Sequence, residues 1–412
     1  MFRPSRTSYL TPLLNVDSSC ALRAPPLCGP MFSYGFRPFF LAVGGWATLA
    51  IGLWLAIFLG YLRLPSRFDP VTWHIHEMLF GVVLAAVAGF LLTAIATWTG
   101  RPPVSGRPLG LLVSLWLLGR IACLTSAYVP LGLAIAADLS FPVALLAVVT
   151  REIVGGRNWR NLPLTAPIVV FIAADLLMHL EASGLAIPSG LGWRLGLVAA
   201  LVLISIVGGR IIPSFTRNWL MKRGSVCLPV PHGPVDIIAI GVLHGALIVW
   251  AIAPSLRTAG LMLVVAAALN LWRLLRWAGG ATLTEPLVFI LHVGYAWMVL
   301  GVGLLGFSVV GVAVPIASAL HALSVGAIGT MILAVMTRVA LGHTGRKLIA
   351  GRATVIIFLL VNVAAVARVA AAWSAIGTTT LVVLAGLCWI AAFGLFEIRY
   401  GPVLRLGRIA PS

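Results

Sequence analysis

Long apolar runs alternate with short polar segments along the whole chain. Each run has about the 20 residues that an α-helix needs to cross the hydrocarbon core of a bilayer. The pattern predicts an all-α integral membrane protein, a bundle of about twelve transmembrane helices. The predicted runs are Phe39–Tyr61, His76–Trp98, Leu109–Tyr128, Leu131–Val149, Leu164–Leu180, Leu191–Ile212, Ile237–Ala253, Leu261–Trp277, Leu287–Val310, Pro315–Met336, Val355–Trp373 and Leu381–Phe396.

Composition excludes a water-soluble protein. The 412 residues are 61% hydrophobic and 9% charged, with a mean hydropathy of +1.08, whereas soluble domains are about 25% charged. The net charge of +18 raises the question of a nucleic-acid partner. Because the Arg residues are dispersed between apolar runs and form no basic stripe, we expect no nucleic acid. The expected partner is the lipid bilayer.

The basic residues predict the orientation. When the N-terminus is placed inside, most of the 28 Lys and Arg residues fall in cytoplasmic segments, as the positive-inside rule requires. Both termini are then cytoplasmic, which needs an even number of crossings. We expect a flexible N-terminal tail over 1–33, a single polytopic transmembrane domain over 34–400 and a short C-terminal tail over 401–412. Translation from Met31 would also fit the sequence.

Two histidines stand at the outer end of the second run, followed by a carboxylate: His74, His76 and Glu77. The preceding Asp69 and Pro70 are typical of an N-cap and a first-turn proline. In a helix the two imidazoles lie about 200° apart around the axis, so they would not chelate one ion, whereas in an extended segment both would face the same way. Metal or haem ligation is one interpretation, with Glu77 fixing a histidine tautomer. Hydrogen bonding of interfacial histidines is the other.

Further ionisable residues fall at the same depth, in the outer half. An isolated guanidinium in lipid is costly, so we expect Arg120 to neutralise Asp138, Asp175 or Glu77. The same residues would also suit a proton or substrate pathway through the membrane.

His321 lies about six residues inside the outer face, followed by Gly326 and Gly329. These glycines permit the close approach of another backbone or of a flat ligand. A neutral histidine in an apolar pocket is a suitable axial ligand for haem. Helix packing is the simpler explanation.

Two other histidines lie in the inner half. His292 is followed by Tyr295 on nearly the same helix face, which suits an aromatic-lined pocket or a helix–helix hydrogen bond. His343 follows the tenth run, in a loop that could bind an anion or only stop transfer. The remaining histidines are interpreted as packed or loop residues: His179, His232 and His244.

Several motifs are absent. The sequence has no Walker motif, GxSxG, HExxH or Rossmann fingerprint. It has no CxxCH, so any haem would be bound non-covalently. The five cysteines show no CxxC spacing, which predicts neither a disulfide framework nor a thiolate metal site.

The chain resembles the NnrS family, bacterial inner-membrane proteins that contain haem and copper and are associated with nitric oxide. One departure is Thr97, where the resemblance leads us to expect Asn, and another is the long N-terminal tail. The similar motifs occur in order between about residue 34 and 350 and are GFRPFFL (35–41), WHIHEMLFG (73–81), GFLLTA (89–94), WTGRPP (98–103), LGR (118–120), GGRIIPSFTRN (208–218), LHVGYAW (291–297), LHALSVGAIGTM (320–331) and VMTRVALGHTGR (335–346).

The resemblance implies a haem and copper protein that protects against nitrosative stress or handles nitric oxide during denitrification, without implying a defined reaction. Placed on its motifs, our candidate metal ligands are His74, His76 and His321. The candidate cofactor-binding residues are His292, His321, His343 and Tyr295, and the candidate supporting residues are Glu77, Arg120, Asp138 and Asp175.

Two rival functions stay open. One is a metal-free transporter that uses the buried His, Glu, Asp and Arg as a proton or substrate path. The other is a redox enzyme acting on nitric oxide and resembling the haem-copper enzymes, which would need an electron donor that the sequence does not identify.

Overall fold

The computed structural model describes residues 29–374 and 376–407. Within these residues the chain is helical without strands, and twelve helices are long and apolar enough to cross a membrane. The predicted number of helices is confirmed, while residues 1–28 of the predicted N-terminal tail and 408–412 of the predicted C-terminal tail lie outside the described residues. The helices are α1 Phe36–Phe58, α2 Pro70–Thr99, α3 Arg107–Leu124, α4 Leu131–Gly155, α5 Trp159–Ala182, α6 Leu191–Lys222, α7 Pro234–Ile252, α8 Arg257–Leu275, α9 Pro286–Val310, α10 Ile316–His343, α11 Arg352–Ala371 and α12 Thr378–Arg405.

The first and last helices pack against each other and bring the start of α1 close to the end of α12. The guanidinium of Arg37 donates to the backbone carbonyl of Leu404 over 2.8 Å and also to that of Leu406. We call this side of the bundle the terminal end and the opposite side the far end. The cytoplasmic location of the terminal end stays a prediction.

The interior is formed largely by α2, α6 and α10, and α6 contacts both of the others. Within the described chain these three helices also contain the π-helical segments, Glu77–Val83, Ile204–Gly208 and Ala322–Gly329. The wider turn therefore recurs in every fourth helix. Such segments are often found at functional sites because they interrupt the regular hydrogen-bond ladder.

The interrupted ladder leaves backbone carbonyls that accept side-chain donors from neighbouring helices. The Trp116 indole donates to the Gly81 carbonyl over 2.9 Å, and the Arg273 guanidinium donates to the Ser205 carbonyl over 3.3 Å. Polar side chains on α3 and α8 are thereby bonded to the buried helices α2 and α6. The π segments thus cross-link the bundle by polar contacts within its apolar interior.

Close approach between helices depends on small residues. At Gly306 of α9, an added Cβ would lie 2.8 Å from the Gly260 carbonyl of α8. Small residues at such positions let two membrane helices come into backbone contact.

Candidate functional site

The N-terminus of α2 orients the first two candidate ligands. The Asp69 carboxylate accepts hydrogen bonds from the backbone N–H groups of Val71 at 3.0 Å and Thr72 at 3.1 Å, which is an N-cap. The helix therefore already includes His74 and His76. As expected for a helix, the two imidazoles have different neighbours.

His76 faces a buried group of carboxylates in the far half of the bundle. Its Nε2 lies 2.9 Å from Asp175 Oδ1 and 3.0 Å from Asp138 Oδ2. Its Nδ1 lies 3.2 Å from Glu77 Oε1. All four side chains are buried. This group, together with the residues of α3 and α5 described next, is called the ionic cluster.

Arg120 of α3 supplies the cation of the ionic cluster. Its guanidinium donates to Glu77 Oε1 over 2.8 Å and also to Asp138 Oδ1. Two of the three partners that depth alone suggested are therefore found. The third, Asp175, is bonded to His76 instead. Since Glu77 also accepts a 2.8 Å hydrogen bond from the Trp46 indole of α1, its carboxylate is held from two helices.

His179 and Cys123 complete the ionic cluster. His179 Nε2 lies 3.0 Å from Asp138 Oδ2, and Cys123 Sγ lies 2.9 Å from the same oxygen. Ligand atoms of His76, Cys123, Asp138 and His179 all lie within 4.8 Å of one another and could hold a metal ion. Two of these residues differ from the sequence prediction, which treats His179 as a packed residue and expects no thiolate site. The sequence signal that could have grouped His179 and Cys123 with His76 is the depth in the membrane that these residues share.

The hydrogen-bonding capacity of the ionic cluster also fits a cation. Three groups converge on Asp138 Oδ2, which has two lone pairs, so three donors cannot all be well satisfied there. Asp175 Oδ2 is buried with no hydrogen-bond partner in the described structure. Three carboxylates and one guanidinium leave two negative charges when both imidazoles are neutral. Two protons or one divalent cation would balance them.

His74 points to a second location, between α1, α10 and α11. Its ring stacks on Trp54 at a centroid distance of 4.5 Å, and its Nδ1 is buried without a hydrogen-bond partner among the described residues. It lies within electrostatic range of His321 and Arg368. The Nδ1–H of His321 donates to the Ala317 carbonyl over 2.6 Å, which leaves Nε2 with its lone pair available. We call His74 and His321 the imidazole pair.

The glycines that follow His321 accommodate tryptophan rings. A Cβ at Gly326 would lie 2.6 Å from the indole of Trp297, and one at Gly329 would lie 2.6 Å from the indole of Trp389. The close approach that these glycines permit is thus made by residues of α9 and α12. The glycines themselves provide no evidence for a flat ligand.

The other two candidates on α9 belong to a polar network in the half of the bundle near the terminal end. The Tyr295 hydroxyl accepts from Arg273 over 2.8 Å and donates to Asn270 over 2.7 Å. His292 Nε2 lies 2.8 Å from the hydroxyl of Thr216, while its Nδ1 is buried without a partner in the described chain. Neither residue reaches the ionic cluster.

His343 ends α10 at the terminal end. Its ring centroid lies 6.3 Å from that of Tyr34 and 5.6 Å from that of Phe36. The sequence-derived candidates therefore occupy separate places: His76 in the ionic cluster, the imidazole pair beside it, the α9 residues in the other half, and His343 at the terminal end.

Fold and site together define a multi-pass α-helical membrane protein with a buried group of His, Cys and Asp side chains that could bind a metal. The family described as NnrS protein matches residues 30–408, and the chain belongs to this family. The resemblance in its motifs is thereby confirmed. Comparison with curated proteins finds no match.

Proposed function

We propose that this protein binds copper and non-covalent haem in the bacterial inner membrane and acts in the nitric oxide response, in protection against nitrosative stress or in denitrification. The observation that supports it most is the convergence of His76, Cys123, Asp138 and His179 in the membrane interior. Family membership supports the link to nitric oxide.

Copper is assigned to the ionic cluster. Imidazole and thiolate are ligands that copper accepts readily. Arg120 holds one Asp138 oxygen and leaves Oδ2 toward the histidines and the thiol. Glu77 would keep a proton on His76 Nδ1 while Nε2 binds the ion, which is the second-shell arrangement common in metal sites. The residues present therefore fit a copper ion.

Haem is assigned to the imidazole pair. His321 has its Nδ1–H fixed by a carbonyl and its Nε2 available, and His74 has a buried unpartnered nitrogen. Both histidines would hold a haem iron through an imidazole nitrogen. Arg368 is within electrostatic range of both imidazoles and would pair with a carboxylate of the bound haem.

When bound, reduced haem iron or cuprous copper would be the group that binds nitric oxide. The contribution of the chain is to bury both groups and to orient their ligands. Nitric oxide is small and apolar, so it can reach the far half of the bundle through lipid. Sequestration, sensing and turnover all fit this arrangement, and turnover would need an electron donor.

The proposal is tested by purifying the protein from cells replete with haem and copper. We expect a haem absorption spectrum and bound copper. His321→Ala should abolish the haem spectrum, whereas His232→Ala, in an exposed loop, should retain it. Wild-type protein that lacks both cofactors would refute the proposal.

Proton-coupled transport is a second candidate, favoured by the charge of the ionic cluster, because two protons would balance it as well as a divalent cation. A colourless, copper-free protein that moves protons across liposomes would support transport instead. Consumption of nitric oxide with an electron donor, abolished by His→Ala changes, would support a redox enzyme.

A further inference from the structure

Glu397 is a half-buried acid that belongs to neither of the candidate cofactor sites. It lies in α12 and faces Gly44 of α1 so closely that a methyl group at Gly44 would overlap its carboxyl. Its Oε1 is buried and has no hydrogen-bond partner within the described residues. The glycine makes room for the carboxyl but offers it no donor.

The fully buried carboxylates among the described residues each have at least one charged or hydrogen-bonding partner, although one oxygen of Asp175 has none. Glu77 receives the Arg120 guanidinium and the Trp46 indole, and Asp236 receives Arg273 at 3.0 Å. Glu77 and Glu397 therefore contact α1 only two positions apart, at Trp46 and Gly44. The Glu77 carboxyl accepts from a guanidinium and from an indole N–H, whereas Oε1 of Glu397 has no donor.

An ionised carboxylate without a donor is far more costly in an apolar interior than a neutral carboxylic acid. From this geometry we propose that Glu397 is an intramembrane proton-binding site. Its ligand is a proton, which is held as a neutral carboxyl packed against Gly44. On release, the O–H bond breaks and the proton passes to water at the terminal end.

The surroundings define the route of release. On α1, the neighbour Gly44 has no side chain, and on α12 a Cβ at Gly401 would lie 3.7 Å from both Glu397 Oε2 and the apolar side chain of Leu41. On α12 itself, Arg405 acts electrostatically on Glu397 and lies eight residues further toward the terminal end. The positive charge of Arg405 stabilises the ionised Glu397 carboxylate and therefore favours release of the proton toward the terminal end. The inference depends on neither haem nor copper, because within the described residues no hydrogen bond or ion pair joins Glu397 to a proposed ligand of either.

Infrared difference spectra of the full-length protein test the proposal directly. We expect the carbonyl stretch of a protonated carboxyl in wild-type protein, shifted in D₂O, lost as the pH is raised, and absent from Glu397→Gln. Glu181→Gln is the matched control, because Glu181 accepts a hydrogen bond from the Gly190 N–H at 2.8 Å outside the apolar interior. It should leave the band unchanged. Identical carbonyl regions in wild-type protein and Glu397→Gln would overturn the proposal.

If Glu397→Gln cannot be purified, a measurement on wild-type protein decides. Dicyclohexylcarbodiimide adds to protonated carboxyls in membranes. We expect its mass adduct on the peptide that contains Glu397, more at low pH than at high pH, and none on the peptide that contains Glu77. Lack of the Glu397 adduct, or labelling independent of pH, would overturn the proposal.

Discussion

His74 and His76 are separated by one residue of α2 and belong to different sites. His76 is bonded to Asp138 and Asp175, toward α4 and α5. His74 stacks on Trp54 of α1 and interacts electrostatically with His321 of α10. One turn of helix therefore contributes a ligand to each candidate centre.

This relationship predicts separable losses. His76→Ala should lower the copper content and preserve the haem spectrum, because it removes a nitrogen from the ionic cluster only. His74→Ala should weaken haem binding and preserve copper. Metal analysis and absorption spectra of the two purified variants check both. If each variant lost both cofactors equally, the assignment to two sites would be wrong.

Arg120 should be critical for stability. Arg120→Met leaves Glu77 and Asp138 buried without their cation, and breaking a buried ion pair in this way costs about 3 to 5 kcal/mol. Thermal unfolding in detergent measures the loss. Arg151→Met is the control, since Arg151 is 63% exposed in its pair with Glu152 and should change stability by less than about 1 kcal/mol. Equal effects of the two substitutions would contradict the buried pairing.

The α8–α9 contact should tolerate no side chain at Gly306. Gly306→Ala places a methyl group 2.8 Å from the Gly260 carbonyl, so we expect a loss of about 1 to 3 kcal/mol by overpacking. Gly245→Ala is the matched helical control, because a Cβ there meets no atom within 4 Å. It should stabilise α7 by about 0.5 to 1 kcal/mol. Unfolding temperatures that change in the same direction would argue against this close contact.

Asp69 should make the start of α2 sensitive to pH. Burial alone raises the pKa of Asp69, but hydrogen bonds from Thr72 and Val71 lower it below its ordinary value of 3.8. The stabilisation is therefore present above the ordinary pKa and is lost as the pH falls through the lowered pKa.

Substitution of this cap gives the measurement. Asp69→Ala should cost about 1 kcal/mol at neutral pH, whereas Asp69→Asn should keep the cap and remove its pH dependence. Unfolding temperatures recorded between neutral and acid pH compare the three proteins. If the unfolding temperature of Asp69→Asn fell on acidification as much as that of the wild type, a group other than Asp69 would be responsible for the pH dependence.

Hydropathy and charge were sufficient to predict the helices, since each apolar run must be long enough to cross the bilayer. They also placed Arg120, Asp138 and Asp175 at one depth. They could not choose among partners, because the rotation of each helix about its axis is determined by packing with helices distant in sequence. For the same reason His179 and Cys123 were not grouped with His76.

The π segments were also beyond sequence reasoning. A run such as Glu77–Val83 has the same apolar composition whether its turns hold 3.6 residues or more, and hydropathy does not report the hydrogen-bond pattern. The tryptophans that fill the space at Gly326 and Gly329 likewise come from α9 and α12. Small residues in the sequence predict that another group packs closely against the helix, but they do not identify that group.

The π segment of α2 has a mechanical consequence. Because it begins at Glu77, the turn that carries His74 and His76 and the stretch Leu84–Thr99 have different azimuths from those of one continuous α-helix. A π turn holds more residues than the 3.6 of an α-helix, so each residue of 77–83 rotates the helix by less than about 100°. The hydrogen-bond pattern of these seven residues therefore sets the angle between the two histidines and that stretch. A change of this segment from π to α hydrogen bonding would therefore re-orient both imidazoles while the packing of Leu84–Thr99 is kept, within a single membrane span.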